Sequence, residues 1–200
     1  MRKNGIQDWL MNKKIKIGLD LDGVIIDHTL NKIRLAKQCG YFLKTQQTSS
    51  EIVEKIVPPD IKRFIQKGIY GQVGLSSGPM KNSKKMLKKI TETFSVPYII
   101  SRRDYKHNQR KFALEWLKNN HFFPPLKRNR ILFAKSEPSK NNVCKKLNIN
   151  IYLDDKIEVL NNLRSVKYKV LFDPYCHRYK NPPKNIKVVK TWLEFYKYLQ

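Results

Sequence analysis

Six short runs rich in β-branched and aliphatic residues punctuate this chain: "IKIGL" (15–19), "PYII" (97–100), "ILFA" (131–134), "INIYL" (149–153), "YKVLF" (168–172) and "IKVV" (186–189). Each has the length and composition of a buried strand. From about residue 79 onward, stretches with helical apolar spacing separate them. "HNQRKFALEWLKNN" puts Phe112, Ala113, Trp116 and Leu117 on one face, and "KIEVLNNLRS" groups Val159 and Leu160 with Leu163. "SKNNVCKKL" offers Ser139 as a cap before Val143 and Leu147. Strands that alternate with helices build a parallel sheet covered on its faces, and such sheets bind ligands beyond the carboxyl ends of their strands. Residues that carry chemistry are therefore expected just after the strand-like runs.

Residues 28–78 break the alternation. "HTLNKIRLAKQCG" reads as a helix stopped at Gly40, "SSEIVEKIV" as a capped helix halted by Pro58 and Pro59, and "DIKRFIQKG" as a third ending at Gly68. No strand pattern stands among them. The expected organisation is an N-terminal extension over 1–14, a catalytic core over 15–27 and 79–200, and a small helical cap over 28–78, inserted after the first strand. There is no internal repeat and no low-complexity linker.

The chain has 200 residues, 40% of them hydrophobic, which suits one domain with a modest insertion. Its 41 Lys and Arg against 16 Asp and Glu give a formal charge of +25. Clustered cations bind nucleic acid by releasing counterions from phosphates. Here, however, the cations are spread along the whole length, and Lys, Asn and Ile are abundant together, as an AT-rich coding bias produces. A nucleic-acid partner is thus not favoured, although the charge suits an anionic ligand. The opening "MRKNGIQDWLMNKK" lacks an apolar signal core, and nowhere do about 18 apolar residues run together. Three cysteines, Cys39, Cys144 and Cys176, form neither a disulfide framework nor a zinc-ligand spacing. The expectation is a cytoplasmic protein that does not span a membrane.

Against that basic background, "IKIGLDLDGVIIDHT" gathers three of the scarce acids, Asp20, Asp22 and Asp27, within eight positions. A strand running into Asp20 points Asp20 and Asp22 the same way, because side chains alternate with period two, and Gly23 permits a sharp turn behind them. Like charges so close repel unless a cation or a shared proton relieves them. A second pair, Asp154 and Asp155, ends "INIYL". Asp-Gly is also a common turn, and Asp-Asp-Lys can cap a helix. Two acidic strand ends in one parallel sheet can nevertheless converge on a hard cation such as Mg²⁺, which prefers oxygen ligands.

"DLDGV" resembles the first motif, DxDG after a strand, of the haloacid dehalogenase-like phosphohydrolases. "YIISRR" resembles their second motif, "SKNNVCKKL" the helix that carries the third-motif lysine, and "IYLDD" the acidic fourth motif. The four occur in the family's order over most of residues 15–175. "VLFDPYCHRY" and "VVKTWLEFY" further resemble the tail of the bacterial deoxyribonucleotidase-like branch. The resemblance implies a Rossmann-like α/β fold and a Mg²⁺-dependent phosphatase, a hydrolase of small phosphate esters such as nucleoside monophosphates. It also implies that Asp20 is the nucleophile forming an aspartyl-phosphate and Asp22 the general acid and base. In the same reading, Asp20, the main-chain carbonyl of Asp22, and Asp154 bind the metal, with Asp155 acting through water or hydrogen bonds. Ser101 and Lys140 bind the phosphoryl group, and Lys135 is the alternative lysine.

Arg102 and Arg103 follow Ser101 directly, so at least one can reach a substrate anion; Arg102 is taken as the phosphate-binding candidate, with a solvated surface pair as the competing reading. Asp27 is read as a helix cap, and Cys176 and His177 as loop residues. Tyr41, Phe42, Phe64 and Tyr70 of the insertion are read as core rather than as a base-stacking set. Two other functions stay open: a phosphatase for polynucleotide ends, and a non-catalytic phosphate-binding regulatory module. Intact Asp20 and Asp22 argue against the second.

Overall fold

In the computed structural model, which describes residues 15–103, 108–177 and 183–200, the six runs form one parallel sheet. The expected extension over 1–14 lies outside the described residues. The strands are β1 (Ile17–Leu19), β4 (Tyr98–Arg102), β5 (Ile131–Ala134), β6 (Ile151–Asp154), β7 (Tyr168–Phe172) and β8 (Ile186–Val189). Their order in the sheet is β5-β4-β1-β6-β7-β8, with every neighbouring pair parallel. β1 therefore sits between β4 and β6, where the winding direction reverses, and this is where a crevice opens in sheets of this kind.

Both faces are covered. On one side α4 (Ser83–Thr93), α5 (Gln109–Asn119) and α8 (Trp192–Leu199) bury Leu87, Trp116 and Phe195 against Ile17, Leu19, Ile99 and Leu153. On the other, α6 (Glu137–Leu147) and α7 (Ile157–Asn162) bury Cys144 and Leu160 against Ile100, Tyr152 and Leu171. Alternate residues of β4, β6 and β7 thus face opposite layers, as the strand period requires. Gly18 is needed for this packing: a Cβ there would lie 2.5 Å from the Tyr152 ring. Three thiols, Cys39, Cys144 and Cys176, are free, and among the described residues no helix is long and apolar enough to cross a membrane.

The segment between β1 and α4 holds α1 (Thr29–Gln38), α2 (Ser50–Ile56) and α3 (Pro59–Tyr70), with short 3-10 turns at Thr45–Gln47 and Gln72–Ser76. These helices bury a separate small core of Leu35, Ala36, Val53, Ile65 and Ile69. Two expectations are corrected here. Helix α3 runs through Gly68 to Tyr70, because Gly68 gives Leu35 room rather than ending the helix: a Cβ at 68 would sit 2.6 Å from Leu35 Cδ1. The segment also contains strand at its neck, where β2 (Ile26–Asp27) pairs antiparallel with β3 (Gly78–Pro79). Two-residue strands leave no readable alternation. A third correction concerns α6, which is capped by Ser136 in a reciprocal box with Ser139, not by Ser139 alone.

Where the segment meets the core, Glu51 of α2 faces Glu158 of α7. Burial first, then the hydrogen bond to Glu158, pushes the Glu51 carboxyl up to about 8. A proton held more tightly in the folded state contributes stability that is complete below the ordinary value of 4.5 and is lost as pH rises through about 8. Glu51→Gln, which imitates the protonated acid, is expected to flatten the decline of Tm between pH 4.5 and about 8. An unchanged decline would contradict the pairing.

Candidate active site

The parallel register builds the site. Leu19 pairs with Leu153, and the Asp20 amide donates to the Leu153 carbonyl at 2.9 Å. Asp20 and Asp154 consequently leave adjacent strand ends side by side. One carboxylate oxygen from each of Asp20, Asp154 and Asp155 lies within 4.8 Å of the others. Gly23 makes room for the third: it adopts φ +79°, and a Cβ there would stand 2.2 Å from Asp155 Oδ2. Asp-Gly is thus both a turn and a clearance for the second acidic pair.

Lys140, 2% exposed, comes from the first turns of α6 and donates to Asp20 Oδ1 at 2.9 Å and Asp154 Oδ2 at 2.7 Å. Burial alone would lower its proton affinity, but Asp154 and Asp20 together outweigh burial and hold the ammonium well above its ordinary value. The compensation is incomplete. Burial first, with Asp20 and Asp155 adding to it, pushes Asp154 up to about 7 against the pull of Lys140. Asp155 is also raised, chiefly by burial and by Asp20. The three clustered carboxylates share one directly bonded ammonium, with Lys156 and Lys32 acting on Asp155 from farther off, and hard oxygen donors of this kind fit Mg²⁺. Lys135 is exposed, so the lysine at the acids is Lys140.

Asp22 stands apart from that trio. Arg103 grips its carboxylate with two donors, Nε to Oδ2 at 2.9 Å and Nη2 to Oδ1, while His28 Nε2 meets Oδ1 at 2.7 Å. Although burial would raise it, the Arg103 guanidinium and then His28 hold the Asp22 carboxyl well below the usual range. Since an ionised carboxylate only accepts, Nε2 carries the proton and Nδ1 accepts from Ser77 Oγ at 2.8 Å. Burial, ahead of every other influence, keeps His28 below its ordinary value. Any contact of Asp22 with a metal would rest on its main-chain carbonyl, its carboxylate being engaged here.

Ser101, 1% exposed at the end of β4, points its hydroxyl toward Asp22 Oδ2 at 3.4 Å. Arg102 also borders the cleft, but from an exposed position where it pairs with Glu137 at 3.5 Å. Of the two arginines, Arg103 is the buried one, and its guanidinium packs over the Tyr70 ring at 4.7 Å. Asp27 accepts from the Thr29 amide and from the Tyr175 hydroxyl, but the N-cap position of α1 is His28, so Asp27 sits one residue ahead of the cap. Tyr70 lines the cleft, whereas Phe42 and Phe64 are exposed. Sequence reasoning missed His28, Lys32 and Lys156, all of which border the cleft. His28 lies at i+6 from Asp22, a spacing with no regular-structure meaning.

The cleft offers about 60 Å³ to a water-sized molecule. Its floor is Asp20, Asp22, Ser101, Lys140, Asp154 and Asp155, and its opposite wall comes from Val53, Lys62, Ile65, Gln66, Ile69 and Tyr70 of the inserted helices. One end is therefore dense in charge and the other mainly apolar. This suits a molecule with an anionic head and a less polar body.

A six-stranded parallel sheet with this order and acids at its central strand ends is the Rossmann-like α/β arrangement of the haloacid dehalogenase-like fold. The solved structures that resemble it agree in fold. A haloacid dehalogenase-like family hydrolase from Streptococcus pneumoniae matches with TM-score 0.60 and 15% identity, covering 94% of this chain and 99% of that one. The putative hydrolase YfnB from Bacillus subtilis, described as bound to magnesium, gives 0.59 at 10% identity over 94% and 99%. A family hydrolase from Deinococcus radiodurans, described with bound phosphate and sodium, gives 0.59 at 12% identity over 90% and 92%. No curated protein sequence matches. The family model described as 5′ nucleotidase, deoxy (Pyrimidine), cytosolic type C protein matches residues 13–199, and the chain belongs to that family. It is a phosphatase.

Removing Lys140 would leave Asp20 and Asp154 buried without their direct ion-pair partner. Breaking one side of a buried ion pair typically costs about 3–5 kcal/mol. Lys140→Met is expected to lose stability on that scale in urea melts run with a chelator. A loss below about 1 kcal/mol would contradict the buried triad described here.

Proposed function

We propose that this phosphatase is a Mg²⁺-dependent phosphomonoesterase acting in the cytoplasm on small phosphate esters, nucleoside monophosphates first among them, through an aspartyl-phosphate on Asp20. The observation that carries the reading is the meeting of Asp20, Lys140, Asp154 and Asp155 at the central strand ends, with Asp22 on the same cleft floor. The apolar far wall offers contacts to a leaving group such as a nucleoside. Residues 15–27 and 79–200 would then act as the catalytic core, and 28–78 as a cap that chooses the leaving group. The family match and the magnesium described for the Bacillus subtilis hydrolase support the reading.

The steps follow from the chain's own groups. Asp20 attacks phosphorus, the bond to the leaving oxygen breaks, and Asp22 gives that oxygen its proton. Asp22 needs a proton for this step, and the arrival of a phosphoryl anion beside it raises its proton affinity against the hold of Arg103 and His28. In the second half Asp22, again a carboxylate, takes a proton from water; the water attacks phosphorus and releases Asp20 and inorganic phosphate. Lys140 and Ser101 are placed to steady the phosphoryl oxygens. Asp20, Asp154, Asp155 and the Asp22 carbonyl would hold Mg²⁺, which when bound offsets the repulsion between a carboxylate and a phosphate dianion.

Asp20→Asn keeps the size but removes the attacking charge. Its turnover of 4-nitrophenyl phosphate should fall by about three orders of magnitude or more, and wild-type turnover should disappear with a chelator and return with Mg²⁺. Near-full activity of the variant would overturn the covalent route.

The charge of +25 is tested with nucleoside monophosphates and phosphorylated oligonucleotides across a salt series. Small esters should be preferred and the salt slope shallow. A steep fall confined to oligonucleotides, at about 0.7–0.9 log units per phosphate contact, would favour polynucleotide ends instead.

A further inference from the structure

The inserted segment leaves the core at His28 and returns at Ser77, just inside the β2–β3 neck. These two residues bond to each other across it, Ser77 Oγ to His28 Nδ1 at 2.8 Å. Asn31 of α1 donates to the same hydroxyl at 2.9 Å, and the Trp116 indole donates to the Ser77 carbonyl at 2.7 Å. His28, Asn31 and Ser77 are 3%, 7% and 6% exposed, so the chain is shielded from water. Its donors all run one way, from Asn31 to Ser77 to His28 to Asp22. The ring therefore has a fixed orientation, and the point it fixes is the Asp22 carboxylate. Nothing in the general requirements of a buried core asks for a histidine at this spot, where an apolar residue would avoid three polar groups that must all be satisfied.

We propose that His28 is a positioning residue for proton transfer by Asp22, and that through Ser77 it ties the placement of that carboxylate to the seating of the inserted segment's neck. The proposal rests on the reading of Asp22 as the leaving-group proton donor. Arg103 holds the carboxylate from the core side, reaching Asp22 with Nε and Nη2 and the Tyr70 carbonyl with Nη1 at 3.4 Å. The His28 and Tyr70 rings meet edge to face at 6.3 Å. Both arms that hold Asp22 thus touch the last turn of α3. A neck that shifts takes His28 with it and leaves Asp22 with Arg103 and Ser101 only, poorly aimed at a leaving oxygen.

The test is a series of substituted phenyl phosphates from 4-nitrophenyl to phenyl, assayed with Mg²⁺. The quantity compared is kcat/KM, which reports the first chemical half. The expected loss for His28→Ala is under about threefold with 4-nitrophenyl phosphate and grows to about tenfold or more with phenyl phosphate, since proton donation matters most for poor leaving groups. His28→Gln, which keeps a donor near the Nε2 position, should recover most of the lost rate. Ser77→Ala should show the same trend more weakly, and it serves if His28→Ala fails to fold. Equal losses across the series, with no recovery in His28→Gln, would assign His28 a purely structural role and overturn the proposal. Asp22→Asn separates the two readings: if its own loss does not grow with poorer leaving groups, the assignment of Asp22 as proton donor fails as well. If Asp22→Asn shows the trend and the His28 and Ser77 variants do not, only the positioning role fails.

Discussion

Everything at the cleft floor depends on three carboxylates being held closer together than their charges favour. Adjacent parallel strands bring Asp20 and Asp154 side by side, and the turn at Gly23 lets Asp155 join them. A sheet imposes this spacing because its register is fixed by backbone bonds and by two packed faces, so a strand cannot slip to relieve its end residues. Lys140 offsets part of the repulsion, while burial first, and the neighbouring carboxylates after it, keep the proton affinity of Asp154 and Asp155 raised. The fold thus holds ready an electrostatic demand that a divalent cation and a phosphoryl group can answer together.

The second pole of the site is Asp22, and its surroundings are opposite in character. Cationic and polar partners surround it, so its carboxylate is stabilised where Asp154 is strained. Two acids two residues apart in sequence therefore have different chemistry, set by which element supplies their neighbours. Asp20 faces the next strand of the sheet and α6; Asp22 faces β4's far end and the neck of the insertion.

How much of this could be read in advance follows from how local each signal is. The six strands, the strand-end acids, Ser101 and the preference for Lys140 over Lys135 were legible, since each depends on a residue type next to a recognisable run. The neck strands β2 and β3 were not, because two residues carry no period. Gly68 reads as a stop in the sequence because the partner it makes room for, Leu35, is distant along the chain. Arg103 was visible only as one of a pair with Arg102; the fold buries the first and exposes the second. His28 had no signal at all, because its place beside Asp22 arises from the turn at residues 21–26 folding the chain back. Charge told least: 41 Lys and Arg say little about a cleft in which most cations are already matched by acids.

The central claim is that Asp20 carries the phosphoryl group between two displacements. The most direct measurement is a single-turnover reaction with Mg²⁺ and 4-nitrophenyl phosphate, quenched in acid within the burst and followed by peptide mapping. The account predicts a phosphorylated peptide whose modified residue is Asp20, appearing with the release of nitrophenol and decaying as inorganic phosphate forms. Full release of both products with no phosphoryl group on Asp20 at any time would contradict it.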